Sequence, residues 1–280
     1  MIKFKTWNLL PLLAMGVMLT RCSCDFFGTT GALFVPESKE IALGASFDST
    51  LRANDTAKLE YPIFDTKGDS KRIEFQAYVT DLAKSILAQV PASDKPGYDF
   101  KFTIIDKDVE NAFAVPGGYV YIYTGIIKKM NNEAELSGVL GHEISHVVWH
   151  HYRDALAKTA GMGILLDALL GDDAGKLAQV VAGSLFQLAA LKVSRSNESE
   201  ADHYGTIYSG KAGRNPLGIA NYFARAKEAG FAWLSSHPGS ADRVEDVTDQ
   251  VNASASLKAL AADSSSNFTA RFTAAQSLIK

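Results

Sequence analysis

The sequence predicts an α+β protein, predominantly helical, with one small sheet whose edge strand borders the candidate active site. Three observations predict it. Apolar residues recur at helical steps from Lys71 to Val90, the period falls to two between Tyr98 and Thr124, and helical signals return from Asn131 onward. A chain of 280 residues that is 47% hydrophobic, 21% charged and 10% aromatic has the composition of a globular protein with a sizeable core. Lys and Arg number 28 against 31 Asp and Glu, so there is no basic surplus for phosphates and no nucleic-acid partner is expected.

Lys3 and Lys5 precede an apolar run, Leu9 to Leu19, that is too short to span a bilayer and reads as an export signal. The two cysteines, Cys22 and Cys24, follow it directly, so the rest of the chain has no internal disulfide. A cysteine there resembles a lipobox: Leu19 and Thr20 fit before Cys22, although Arg21 does not. Cys22 is therefore the expected lipid attachment, with Cys24 as the alternative, and the protein an exported, membrane-anchored periplasmic lipoprotein, on the outer rather than the inner membrane. The expected organisation is a signal peptide and lipobox (1–23), a spacer (24–35) and a single domain (36–280).

Pro36 and Glu37 open a helical stretch carrying Ile41, Leu43 and Phe47; Gly68 and Asp69 mark a loop. Ile73, Tyr78, Leu82, Ile86 and Val90 then form the stripe of a long amphipathic helix, closed by Pro91 and Pro96. Phe100, Phe102 and Ile104 alternate with polar residues, and Val120 and Ile122 alternate with Tyr119, Tyr121 and Tyr123. These are strands, joined through Val115-Pro116-Gly117-Gly118. Pro116 cannot donate to a ladder and belongs at a sheet edge, which could receive a peptide. Asn132 with Glu135, and Asn215 with Pro216, mark helix starts. Two apolar stretches between Ala160 and Val193 read as a helical hairpin.

The chemistry is carried by Leu140-Gly141-His142-Glu143-Ile144-Ser145-His146. Histidines four apart on a helix point from one face and can grip one ion; neutral imidazole suits Zn²⁺. Glu143 would lie beside the open coordination position, placed to take a proton from water and deliver it to a departing amine. A catalytic zinc has three protein ligands as a rule. The extension HExxHxxGxxH would need a glycine where Trp149 stands and a histidine where Tyr152 stands, and a deformylase would need a cysteine that this body lacks. What remains is a carboxylate from a second helix: Glu198 and Asp202, four apart, would let one bind metal while the other orients a ligand histidine. Without the HExxH, such a cluster would usually mean a solvated acidic helix. Glu200 faces away from that pair, His203 is turned from its face, and His150 and His151 read as helix-terminal charges. His237, followed by Pro238, is ambiguous by itself.

Several separated segments together resemble one peptidase family, that of HtpX, BepA, LoiP and the CAAX prenyl proteases. They are Asn111-Ala112-Phe113-Ala114 with Pro116-Gly117-Gly118, the Gly141-His142-Glu143 helix, the Ser194 to Asp202 stretch, and His237-Pro238 followed by Arg243. The resemblance implies a zincin-like (gluzincin) fold with one Zn²⁺ per chain, bound by His142, His146 and Glu198, with Glu143 as base. It implies Asp202 behind a ligand histidine, and a substrate cleft bordered by Asn111, Ala114, Gly117 and Gly118. His237 would hold the metal in a resting state or steady the oxyanion, supported by Arg243. The chain has only its N-terminal apolar run, so the compact LoiP-like layout is nearer than the multi-spanning relatives. The expected activity is endopeptidase action on unfolded or misassembled envelope proteins; the rivals are a zinc-containing chaperone and a helical lipoprotein with a chance HExxH.

Overall fold

The computed structural model describes residues 36–53, 55–153, 155, 193–229, 233, 237 and 240–279. The expected export signal, the Cys22 lipobox, the spacer and all but Val193 of the 160–193 hairpin lie outside the described residues. Residues 35–280 form one unit.

Helix α1 (Glu37–Ala53) buries Leu43, Phe47 and Leu51 and turns Ile41 outward. After the short α2 (Asp55–Glu60), the long helix α3 (Ser70–Leu87) begins where the Asp69 side chain accepts hydrogen bonds from the amides of Lys71 and Arg72. Its buried stripe is Phe75, Val79, Leu82 and Ile86; Ile73, expected on that face, is 55% exposed, because the stripe starts one step later, at Phe75.

Three strands follow: β1 (Lys101–Ile105), β2 (Ala112–Val115) and β3 (Tyr119–Tyr123), in the order β1-β3-β2. β3 runs parallel to β1 and antiparallel to β2, with Ala114 opposite Val120. The turn through Pro116-Gly117-Gly118 joins β3 not to β1, as expected, but to β2, a strand the period-two pattern did not mark; Gly117 adopts φ +86 there, and a β-carbon would lie 2.5 Å from the Glu40 carbonyl oxygen. Alternation in β3 does not survive as an exposed face: all five residues are buried. Phe47 of α1 packs edge-on against Phe113 and Tyr121, while the helix that carries the HExxH packs against β2 and β3.

Helix α4 (Thr124–Lys129) leads into that helix, α5 (Glu133–Val148), which is buried along its whole length. The expected cap is present: Asn132 accepts from the Glu135 amide at 3.0 Å, and the Glu135 carboxylate accepts from the Asn131 amide at 2.9 Å. Helix α6 (Arg195–Lys211), capped by Ser194, crosses α5. They meet glycine to glycine: a β-carbon on Gly141 would lie 2.8 Å from the Gly205 oxygen. Two backbones come this close only where neither carries a side chain. Helices α7 (Gly218–Ala229), α8 (Ser240–Ala253), α9 (Ala255–Ala262) and α10 (Thr269–Ser277) complete the described chain. No described helix is long and apolar enough to cross a membrane.

Candidate metal centre

The crossing of α5 and α6 brings the predicted ligands together. His142 and His146, one turn apart, aim their Nε2 atoms at a common point and sit 2.9 Å from each other. Glu198, from the first turn of α6, places its carboxylate oxygens 3.5 Å from His142 Nε2 and 3.6 Å from His146 Nε2. His237 adds a fourth group, its Nδ1 lying 3.1 Å from His142 Nε2 and 3.1 Å from each Glu198 oxygen. All four are buried, and one donor atom from each lies within 4.8 Å of the others. Two imidazoles and a carboxylate are a zinc donor set. Both ligand-type histidines have Nδ1 engaged elsewhere, which leaves Nε2 to share. Glu143 Oε1 is buried at the same place with no hydrogen-bond partner. A buried polar atom left open beside converging donors is what a metal and its water would satisfy. The residues fit the ion.

Asp202 stands one turn beyond Glu198, as its spacing predicts, and meets His142 Nδ1 at 2.9 Å. Arg243, from α8, binds both acids: its Nε donates to Asp202 at 2.5 Å, and its guanidinium lies 2.8 Å from Glu198 and 3.0 Å from the His237 carbonyl oxygen, to which it donates. Burial alone would raise the Asp202 carboxyl; the charge and hydrogen bonds of Arg243 outweigh it and hold Asp202 below its ordinary range. Glu198 is likewise lowered against the pull of burial, by His237, His142 and Arg243. Glu143 goes the other way. Burial raises it, and His237 and His142 only partly offset that.

Sequence reasoning missed four residues here. Tyr152 is buried and donates from its hydroxyl to Glu143 Oε2 at 3.3 Å. Trp233 covers the His237 ring at 4.6 Å between centroids and donates from its indole nitrogen to the Ala112 carbonyl at 3.2 Å. His151, expected as a helix-terminal charge, and Glu200, expected to face away from the ligand pair, form a chain to His146: His146 Nδ1 lies 2.8 Å from His151 Nδ1, and His151 Nε2 lies 3.1 Å from Glu200. His150 is the reason. It adopts φ 56, breaks the helix one residue past its cap, and makes a contact of its own with Glu40 at 3.0 Å. On an unbroken helix His151 would lie about 140° around the axis from His146.

The expected cleft residues fall in two places. Asn111 and Ala114 belong to the β2 edge; Asn111 caps the Ala112 amide at 3.0 Å, and the Ala114 amide faces the Tyr152 hydroxyl. Since the Asn111 carbonyl accepts from the Tyr123 amide, the alternation of an antiparallel ladder turns the backbone groups of Ala112 and Ala114 outward. Gly117 and Gly118 form the turn beyond, backed by Glu40 and Tyr98.

A dry carboxylate poised over preoriented imidazoles, beside a strand edge, is the equipment of metal-assisted peptide hydrolysis, and the class this arrangement defines is that of the metallopeptidases. The sequence signature of peptidase family M48 matches residues 74–251, and the chain belongs to that family. It is 28% identical over 242 residues to the beta-barrel assembly-enhancing protease of Yersinia pestis, covering 80% of this chain and 46% of that one. It is 31% identical over 154 residues to the metalloprotease LoiP of Escherichia coli K12, covering 52% of this chain and 60% of that one. The chain spans less than half the length of the assembly-enhancing relatives.

Proposed function

We propose that the chain is a zinc-dependent endopeptidase of the gluzincin type, exported to the bacterial cell envelope and acting there on misfolded or misassembled proteins. The observation that carries this reading is Glu143 Oε1, buried without a hydrogen-bond partner and 3.5 Å from His237 Nε2, beside the cluster of His142, His146, Glu198 and His237. In this reading His142, His146 and Glu198 hold the ion. When bound, zinc supplies Lewis acidity at the scissile carbonyl and makes a water acidic enough to attack near neutral pH. Glu143 would take the proton from the attacking water and return it to the departing amine. Tyr152 holds one carboxylate oxygen of Glu143 and leaves the other for the proton. His237, its carbonyl oxygen held by Arg243, steadies the charge that develops on the substrate carbonyl oxygen.

The peptide would lie extended along β2 and pair with the outward groups of Ala112 and Ala114. Trp233 occupies the Ala112 carbonyl, Asn111 the Ala112 amide and Tyr152 the Ala114 amide, so a bound peptide displaces these side chains from the groups it pairs with. The relatives, a beta-barrel assembly-enhancing protease and a metalloprotease, support protein substrates and assembly quality control; membrane attachment through a lipid on Cys22 belongs to the same proposal. A second reading, a zinc-containing chaperone with little or latched activity, is favoured by one contact: His237 Nδ1 stands 3.1 Å from His142 Nε2, where substrate would approach the metal.

Glu143→Gln separates them. The variant is expected to bind zinc as the wild type does while cleaving casein about 10²- to 10⁴-fold more slowly. Full cleavage by the variant would sink the mechanism; zinc-loaded wild type that leaves casein intact would favour the latched chaperone.

A further inference from the structure

The two ligand histidines are supported differently. His142 Nδ1 meets the buried Asp202 carboxylate directly, at 2.9 Å. A carboxylate only accepts, so His142 must donate from Nδ1, and its Nε2 is left as a lone pair facing the cluster. His146 has no carboxylate at its Nδ1. It meets another imidazole, His151 Nδ1 at 2.8 Å, with the ring centroids 5.0 Å apart and the planes at 75°. Two ring nitrogens in this contact must be one N–H and one lone pair, and nothing in the pair itself decides which.

Glu200 decides it. Its carboxylate lies 3.1 Å from His151 Nε2 and accepts, so that nitrogen carries the proton; His151 Nδ1 is then a lone pair and His146 Nδ1 must donate to it. His146 Nε2 is thereby left bare toward Glu198 and His142. We propose that His151 and Glu200 are positioning residues that fix the metal-binding tautomer of His146, doing through an intervening imidazole what Asp202 does directly for His142. The backbone is built for this: the left-handed turn at His150 swings His151 back under the site, where it is 2% exposed. This inference rests on the reading of His146 as a zinc ligand.

The Glu200 side chain is 44% exposed, so it can be changed without disturbing the core. Glu200→Gln still offers an oxygen to His151 Nε2. Glu200→Lys offers only donors, which reverses the required proton positions along the chain and turns an N–H of His146 toward the metal. Measured by competition with a chelator, zinc binding is expected to weaken about 10- to 100-fold in Glu200→Lys and to stay near the wild-type value in Glu200→Gln. Thermal unfolding of the metal-free proteins should be alike. Nitrogen NMR of the metal-free wild type should find the proton on Nε2 of His151 and on Nδ1 of His146. Zinc binding unchanged in the lysine variant, an equal loss in both variants, or a proton on His151 Nδ1 would each overturn the proposal. A wild type that binds no zinc would overturn the reading of the site itself, and the tautomers would still be measurable.

Discussion

Replacing Gly205 with alanine is expected to remove the metal before it removes the fold. Gly205 is where α6 touches α5, and an added β-carbon would sit 2.8 Å from the Gly141 carbonyl carbon and from the His142 nitrogen, against 3.4 Å for ordinary contact. Both obstacles are helix backbone and cannot rotate away, so the helices must part locally by about 0.6 Å. Overpacking of this kind costs about 1–3 kcal/mol. Alanine's better helix propensity returns about 1 kcal/mol, so the net loss of stability stays small. The site is less forgiving. Glu198, on α6, faces the two α5 imidazoles at 3.5 and 3.6 Å. Metal–ligand distances tolerate only about 0.2 Å. A displacement three times that should weaken zinc by tenfold or more, about the loss seen when a ligand's support is removed. The assay is chelator competition for zinc, run beside thermal unfolding of the metal-free protein. Unchanged zinc affinity together with a lowered Tm would refute the reasoning, because the close approach would then serve packing alone.

Trp233→Phe keeps an aromatic ring against Phe223 and His237 but frees the Ala112 carbonyl. If a peptide pairs there, removing a bond worth about 0.5–1.5 kcal/mol should lower KM for an unfolded protein about two- to tenfold; an unchanged KM would contradict pairing at Ala112. Glu40 tests the frame behind the site. It is buried against Arg153 at 2.9 Å and His150 at 3.0 Å. Burial alone would raise its carboxyl, but the hydrogen bond and charge of His150, and then Arg153, hold it below 4.5. A depressed folded pKa gives stability that is present above 4.5 and lost as pH falls through the folded value. Glu40→Gln should therefore cost about 3–5 kcal/mol at neutral pH in urea denaturation, with the gap to wild type narrowing under acid; a gap independent of pH would contradict this.

What was legible in the sequence was local or strictly periodic. The HExxH spacing, the Asn132 cap, the turn at Gly117 and the Glu198 and Asp202 pair each follow from geometry within about one helical turn, and each stands where expected. The misses lie where the chain breaks its own period. His151 reads from the sequence as a helix-terminal charge, and a single left-handed residue, His150, turns it onto His146 instead. Glu200, two residues from Glu198, points off the ligand face as predicted; what could not be read is that His151 waits on that side. Tyr152 counted in the sequence only as a residue that was not histidine, yet its hydroxyl donates to Glu143. Ile73 failed for a simpler reason: one polar-flanked apolar residue at the start of a helix cannot by itself say which side the core is on.

Two α5 histidines and one α6 glutamate are placed to form the zinc site. Elemental analysis of purified wild type and Glu198→Ala tests it most directly. One zinc per wild-type chain, and its loss from the variant with the fold retained by circular dichroism, is the predicted result; equal metal in both proteins, or none in the wild type, would contradict it.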